Sequence, residues 1–167
     1  LQKHVQAAQW GYQWFPIPWL DGSSEESSRL SMDSACADLD AFLDALIVDE
    51  DVLPEQVALF GFSQGTMMSL HVAPRREDAF AGIVAFSGKL LEPELLVDEV
   101  QNTLPVLLVH GDQDEVVPPD SISKAAVGLE KAGFKEVFAH VMKGTGHAIA
   151  PDGLSVAMAF LRDKLSF

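Results

Sequence analysis

The segment Gly61-Phe62-Ser63-Gln64-Gly65 is the first place where residue types and spacing point to chemistry. It follows the apolar run 57–60 and precedes a helical pattern, which is the strand–turn–helix context of a nucleophile elbow. Such a turn strains the backbone of the serine, and the flanking glycines are expected to give clearance. We therefore predict Ser63 as a nucleophile. The N–H of Gln64, at the start of the helix, is the predicted donor to a developing oxyanion.

A second cluster, His110-Gly111-Asp112-Gln113-Asp114-Glu115, directly follows the apolar run 106–109. A carboxylate placed there can accept the Nδ1–H of a histidine and stabilise the imidazolium that forms during proton transfer. The spacing favours Asp114 for this task. Asp112 remains a competitor on the residues alone, because either carboxylate is also suited to closing a turn.

A candidate base, His147, lies in the glycine-flanked segment Gly144-Thr145-Gly146-His147, just after the run that ends at Met142. An imidazole, which titrates near neutrality, suits general-base catalysis. The other histidines are weaker candidates: His4 near the terminus, His71 in a helical pattern, His140 inside a strand, and His110, which is expected to shape the acidic loop. The chain order Ser63, Asp114, His147 is that of α/β hydrolases.

Together these three side chains would carry out nucleophilic acyl transfer. A serine hydroxyl is a weak nucleophile at neutral pH, so the histidine removes its proton during attack and returns it to the leaving group. The aspartate keeps the imidazole in the productive tautomer. A covalent acyl-serine then divides one difficult hydrolysis into two easier steps.

The apolar patterns predict the elements that must position these residues. Runs without alternation predict buried strands over 57–62, 83–86 and 106–109, and a partly polar fourth strand over 137–142. Helical spacing predicts helices over about 31–48, 64–73, 121–132 and 154–165, and the Ser/Glu cluster 23–28 predicts a surface loop. Alternating strands and helices indicate an α/β fold with a mostly parallel sheet flanked by helices. Its ligands would bind beyond the C-terminal strand ends.

The segment 10–19 contains all three tryptophans and the only tyrosine. Two prolines and a glycine exclude a long regular element there. Its aromatic side chains are expected to anchor a loop on the core, to form a wall of an apolar pocket, or both. We predict Trp14, Phe15 and Leu90 as substrate-binding residues, although most side chains of these types are simply core.

Composition limits the classes of partner and the location. The formal net charge of -14 disfavours binding to nucleic acid or anionic membranes. No apolar run approaches the ~18 residues that span a bilayer, so stable membrane insertion is not expected.

The single cysteine, Cys36, excludes an intrachain disulfide and a cysteine-based zinc site, and it fits a cytoplasmic location. We expect one domain over 1–167, either as a monomer or as a homodimer of the chain. Its expected partner is a small-molecule ester.

Several motifs together resemble the carboxylesterase/phospholipase family of serine α/β-hydrolases, which includes acyl-protein thioesterases. They are Gly61–Gly65, Phe86-Ser87-Gly88, His110–Asp114 with Val116-Val117-Pro118, Gly146-His147, and the aromatic pair Trp14-Phe15 ahead of the nucleophile. The resemblance extends over about residues 10–165. It implies an α/β-hydrolase fold with Ser63 as nucleophile, Asp114 rather than Asp112 as the acid, and His147 as the base. It also implies hydrolysis of short- to medium-chain carboxylic esters, thioesters or lysophospholipids, without a metal or organic cofactor.

The sequence departs from the family pattern at its start. Family members begin with several further strands and a His-Gly-x-Gly loop that supplies a second oxyanion N–H, and no such loop stands before residue 57. The family topology would place a further strand beside Val57–Phe60, and its absence would expose an apolar sheet edge. We therefore expect the chain to be N-terminally truncated relative to the family.

Two alternatives remain open at this point. A hydrolase-like fragment or binding module would keep the pocket but lack a complete oxyanion hole and catalysis. A dienelactone-hydrolase-like enzyme would share the fold, but that group uses a cysteine nucleophile where this chain has Ser63.

Overall fold

The computed structural model describes the backbone of residues 6–8 and 11–166, with side chains from residue 13 onward. The chain groups into two compact units, Leu1–Asp51 and Val52–Phe167. The predicted strands of the sheet all lie in the second unit.

The first unit contains a small hairpin followed by two helices. Strands β1 (Gln6–Ala8) and β2 (Gly11–Gln13) pair in antiparallel orientation. Helix α1 (Pro18–Asp21) is a single turn, and α2 (Glu25–Asp49) is the longest helix among the described residues. Between residues 11 and 19 there is therefore no long regular element, as the prolines predict.

Helix α2 begins at Glu25 rather than near residue 31, so the prediction of a surface loop over 23–28 is wrong for most of that segment. The Ser24 hydroxyl accepts the N–H of Ser27 at 3.1 Å and caps the helix. Glu25 and Glu26 occupy the first turn, where negative charge is favourable against the helix dipole. The polar residues that suggest a loop are thus the start of the helix.

The second unit is built on a four-stranded parallel sheet. Its strands are β3 (Ala58–Phe62), β4 (Gly82–Phe86), β5 (Val106–Gly111) and β6 (Val137–Met142), in the order β3-β4-β5-β6. The register pairs Phe62 with Phe86, Phe86 with Val109, and Gly111 with Met142. The residues that follow the four strands therefore meet at one edge of the sheet, which confirms the predicted α/β class and parallel sheet.

Helices connect these strands: α3 (Gln64–Val72), α4 (Pro93–Glu99) and α5 (Ser121–Lys131). Helix α6 (Pro151–Leu165) follows β6, and 3₁₀ turns lie at Pro54–Gln56, before β3, and at Ala73–Arg75, after α3. The patterns predicted α3, α5 and α6 but missed α4. Seven residues make fewer than two turns, which is too short for the helical period to be recognised.

The core lies around the two central strands, which are buried at every residue. A cluster of side chains from β4, β5, β6 and α6 forms one of its layers: Val84, Phe86, Leu107, Val109, Met142, Ala157 and Phe160. Strands β3 and β6 stand at the two edges of the described sheet and are partly exposed. Phe60 on β3 is 47% exposed, as expected of an apolar strand at a sheet edge.

None of the helices in the described part of the chain combines the length and the apolar character that crossing a bilayer requires.

Candidate active site

The predicted nucleophile lies in a strained turn between β3 and α3. Ser63 is the N-cap residue of α3 and has φ 54° and ψ -116°, a conformation that side-chain-bearing residues rarely adopt. Its N–H donates to the carbonyl oxygen of Phe86 on β4 at 2.9 Å. Within α3, which is described in full, the Ser63 hydroxyl accepts no capping hydrogen bond. The turn therefore anchors the serine backbone and leaves the hydroxyl out of the helix cap.

Gly61 provides the clearance predicted for the turn. A Cβ added to it would lie 2.5 Å from the Thr66 nitrogen and 2.6 Å from the carbonyl atoms of Gly65. Gly65 does not share this role, because a Cβ there would meet no described atom within 4 Å beyond its chain neighbours and the backbone of α3. The prediction that both glycines relieve crowding is therefore confirmed for Gly61 and wrong for Gly65.

A second tie between the turn and β4 was not predicted from the sequence. The Thr66 hydroxyl donates to the same Phe86 carbonyl at 2.7 Å and is buried. Gly88 lies against this contact, since a Cβ there would come within 2.3 Å of the Thr66 methyl and 2.9 Å of the backbone carbonyl oxygen of Ser63. A lone threonine in a helical pattern gives no sign of this role, because its partner is 20 residues away.

The predicted acid, Asp114, is buried, with 4% of the residue exposed. Its Oδ1 accepts the backbone N–H groups of Val116 and Val117, each at 2.9 Å. Its Oδ2 lies 2.8 Å from Nδ1 of His147. Burial raises the pKa of the Asp114 carboxyl, but the hydrogen bonds from His147, Val117 and Val116 outweigh burial and hold that pKa below its ordinary value of 3.8. Asp114 is therefore an ionised acceptor at neutral pH.

The competing carboxylate, Asp112, has a different set of contacts. Its Oδ1 accepts the N–H of Gly144 at 2.7 Å, and its Oδ2 lies 3.4 Å from the Lys143 ammonium. Asp112 thus binds the start of the loop that carries His147 but is not the partner of the imidazole. The structure separates the two aspartates, which spacing alone left open.

The predicted base, His147, follows β6 and makes two contacts near the other candidates. Because an ionised carboxylate only accepts hydrogen bonds, the Nδ1 of His147 is the protonated nitrogen facing Asp114. In the neutral ring, Nε2 is then the proton acceptor. The centroid of the imidazole lies 4.8 Å from that of the Phe62 ring. His147 is therefore placed beside the residue that directly precedes Ser63.

The loops that carry Asp114 and His147 pack directly on one another. The N–H of Gln113 donates to the Thr145 carbonyl at 2.9 Å. A Cβ on Gly111 would lie 2.2 Å from the oxygen of Thr145 and 2.5 Å from that of Gly146, so only glycine fits between the loops. This close approach of the two loops fixes the distance between Asp114 and His147, whose side chains are hydrogen-bonded.

The remaining predicted site residues fall in both units. Gln64 is the first residue of α3, at the end of the helix where N–H groups point outward and the dipole is positive. Leu90 is 5% exposed and packs beside Gly128 of α5. Trp14 is half-buried and Phe15 is buried, and both belong to the first unit. The contact of Trp14, Phe15 and Leu90 with a substrate stays a prediction.

The described residues hold no group of three or more histidine, cysteine, aspartate or glutamate side chains arranged to bind a metal ion.

A parallel sheet that carries a strained serine turn after β3 and an aspartate–histidine pair after β5 and β6 is the arrangement of α/β hydrolases. The family model described as Phospholipase/Carboxylesterase matches residues 2–165. The chain therefore belongs to the phospholipase/carboxylesterase family of α/β hydrolases, which confirms the resemblance seen in its motifs.

Individual relatives agree with this family. The chain is 31% identical over 160 residues to acyl-protein thioesterase 1 of Gibberella zeae, a match covering 91% of this chain and 68% of the relative. The crystal structure of esterase PE8 superposes with a TM-score of 0.85 at 40% identity, covering 93% of this chain and 71% of that chain. A phospholipase/carboxylesterase from Dyadobacter fermentans gives a TM-score of 0.73 at 26% identity, covering 89% and 71%. These relationships support hydrolysis of esters or thioesters as the class of activity.

Proposed function

We propose that this protein is a serine hydrolase that cleaves carboxylic esters, including thioesters, through an acyl-enzyme. The observation that carries the proposal is the 2.8 Å contact between His147 Nδ1 and Asp114 Oδ2 beside the strained serine turn. An ordinary loop histidine does not need a buried, ionised carboxylate at its ring nitrogen. The pair has the form required for a general base.

In the proposed reaction, His147 accepts the hydroxyl proton of Ser63 through Nε2 as the oxygen attacks the acyl carbon. Asp114 stabilises the imidazolium that results, and the Gln64 N–H donates to the oxyanion. The imidazolium then gives its proton to the departing alcohol or thiol. Water repeats the sequence on the acyl-serine and regenerates the free hydroxyl.

The substrate class is a small ester with a short- to medium-length acyl chain. Thioesters enter the proposal because one relative, from Gibberella zeae, is named an acyl-protein thioesterase. We propose Trp14, Phe15 and Leu90 as substrate-binding residues and no cofactor, because the side chains of the triad supply every proton transfer that the reaction needs. A cytoplasmic location, a homodimer, and the absence of nucleic-acid partners and stable membrane insertion are likewise proposals.

Labelling with a fluorophosphonate probe tests the proposal. We expect stoichiometric modification of the wild-type protein at Ser63, none in Ser63→Ala, and slow modification in Asp114→Asn. Ser87→Ala is a matched control, because Ser87 also follows a strand and also has a positive φ. Its buried hydroxyl has no partner among the described residues, so labelling should persist. A folded wild-type protein that is never labelled would favour a non-catalytic binding module.

Ester and thioester substrates of matched acyl chain then define the specificity. Because both pass through the same acyl-serine, equal deacylation rates with different acylation rates are expected for one acyl group. Comparing acyl chains of increasing length locates the optimum. Hydrolysis that persists in Ser63→Ala would overturn the proposed nucleophile.

A further inference from the structure

A second histidine, His110 of strand β5, lies beside Asp114. It is near the end of β5 and only 2% exposed. Its Nε2 is 3.0 Å from the carbonyl oxygen of Val117 and 3.4 Å from Oδ2 of Asp114. Two imidazoles therefore approach the same carboxylate oxygen, with His147 at 2.8 Å and His110 at the longer distance.

The contact with Val117 determines which nitrogen of His110 carries a proton. A carbonyl oxygen only accepts hydrogen bonds, so the 3.0 Å contact requires a hydrogen on Nε2. That same Nε2–H lies near Asp114 Oδ2 and adds a favourable dipole on that side of the carboxylate. A neutral imidazole carries one N–H, here on Nε2, so the approach to Asp114 does not require the ring to be charged.

Val117 links His110 and Asp114 through two hydrogen bonds. Its N–H donates to Asp114 Oδ1 at 2.9 Å, while its carbonyl accepts from His110 at 3.0 Å. Val117 is itself buried, with 1% exposure. A shift of the His110 ring would therefore displace Val117, whose N–H holds one oxygen of Asp114, and would turn the other oxygen away from His147.

We propose that His110 is a positioning residue that orients the Asp114 carboxylate toward His147. The inference rests on the proposed function, in which Asp114 acts through the imidazole of His147. A role limited to packing would need only an apolar side chain of similar size. The donor on Nε2 is what a positioning role requires and a packing role does not.

The substitutions His110→Gln and His110→Met separate these roles. Glutamine and methionine have similar length and shape, but only glutamine carries an N–H donor at its end. We expect His110→Met to lower kcat by about 10- to 100-fold with KM little changed, because misorientation affects proton transfer more than substrate binding. His110→Gln should restore most of the lost kcat. Thermal unfolding of both variants checks that each is folded.

The outcomes distinguish this proposal from the proposed function. If Ser63 of the wild-type protein reacts with the phosphonate while His110→Met and His110→Gln lose kcat equally, only the positioning role of His110 is overturned. If wild-type Ser63 does not react, the proposed function fails first. Should His110→Met not fold, long-range proton–nitrogen NMR of the wild-type ring decides: Nε2–H supports the proposal, and an Nδ1–H tautomer overturns it.

Discussion

At the scale of single residues, the candidate site combines a strained serine with a well-satisfied aspartate. Ser63 has φ 54° although it is not glycine, and such conformations persist only where the surrounding structure enforces them. Asp114, in contrast, is buried with hydrogen-bond donors on both carboxylate oxygens. The predicted nucleophile is thus in a strained conformation, while the predicted acid is stabilised by hydrogen bonds.

Replacing Ser63 should separate stability from activity. Ser63→Ala and Ser63→Gly both remove the hydroxyl and should both lose hydrolysis. Glycine adopts positive φ without a Cβ clash. The free energy of unfolding of Ser63→Gly should therefore be about 1 kcal/mol higher than that of Ser63→Ala. Urea unfolding of the two variants measures the difference. Equal stability of the two would show that the turn stores no strain at this residue.

The lowered pKa of Asp114 predicts how stability depends on pH. Because its hydrogen bonds lower the pKa of Asp114 below 3.8 in the folded state, the unfolded chain binds the proton more readily. The stabilisation is complete above the ordinary pKa and is lost as the pH falls through the folded-state pKa. The difference in unfolding free energy between wild type and Asp114→Asn should therefore shrink below about pH 4. Urea unfolding of both proteins from neutral to acidic pH measures it, and a difference that grows on acidification would contradict the assignment.

At the scale of secondary-structure elements, the site depends on close backbone contacts at the C-terminal edge of the sheet. The β3–α3 turn is tied to the end of β4 by the Ser63 N–H and the Thr66 hydroxyl, which share the Phe86 carbonyl. The loops after β5 and β6 touch where Gly111 meets the Thr145 carbonyl. Parallel register brings these strand ends together, and small residues let the loops approach.

The two glycines of the nucleophile turn give a matched test of this crowding. Gly61→Ala would place a Cβ against the backbone of Gly65 and Thr66. We expect a loss of about 1–3 kcal/mol in stability and slower labelling of Ser63. Gly65→Ala enters open space within a helix. Its stability should be unchanged or up to about 1 kcal/mol higher. Urea midpoints of both variants measure the contrast, and equal destabilisation would disprove the packing of the turn.

At the scale of the whole molecule, charge is the dominant feature. Eleven basic residues against 25 acidic ones give the formal net charge of -14. Mutual repulsion of like charges destabilises a compact state and is screened by salt. The chain also spans about two thirds of its Gibberella zeae relative, 68% of that protein's length.

Salt should therefore stabilise the folded protein. Raising sodium chloride from about 0.01 M to about 0.15 M shortens the screening length from roughly 30 Å to roughly 8 Å and weakens the repulsion. We expect a higher free energy of unfolding in urea at the higher salt concentration. Potassium chloride at the same ionic strength is the control for ion-specific binding. A decrease in stability with both salts would mean that favourable ion pairs outweigh the repulsion.

The sequence alone predicted the four strands of the parallel sheet, helices α3, α5 and α6, and the three candidate catalytic positions. It did so because buried parallel strands are continuous apolar runs, and because Ser63, Asp114 and His147 each follow such a run. The local sequence pattern did not predict the start of α2, because its capped and acidic first turn has the composition of a loop. Helix α4 was not predicted either, because it is too short to show a helical period.

Spacing favoured Asp114 over Asp112 without excluding either, and the contacts of the folded chain identify Asp114 as the carboxylate that meets the imidazole. Asp112 and Asp114 are two residues apart and chemically alike, but the path of the loop turns one toward Gly144 and the other toward His147. The fold likewise supplies the hydrogen-bond partners of the Thr66 hydroxyl and of the His110 Nε2–H. It also leaves open the space that a Cβ on Gly65 would occupy. Residue type and spacing specify which groups are present, whereas contacts between distant segments specify which of them act together.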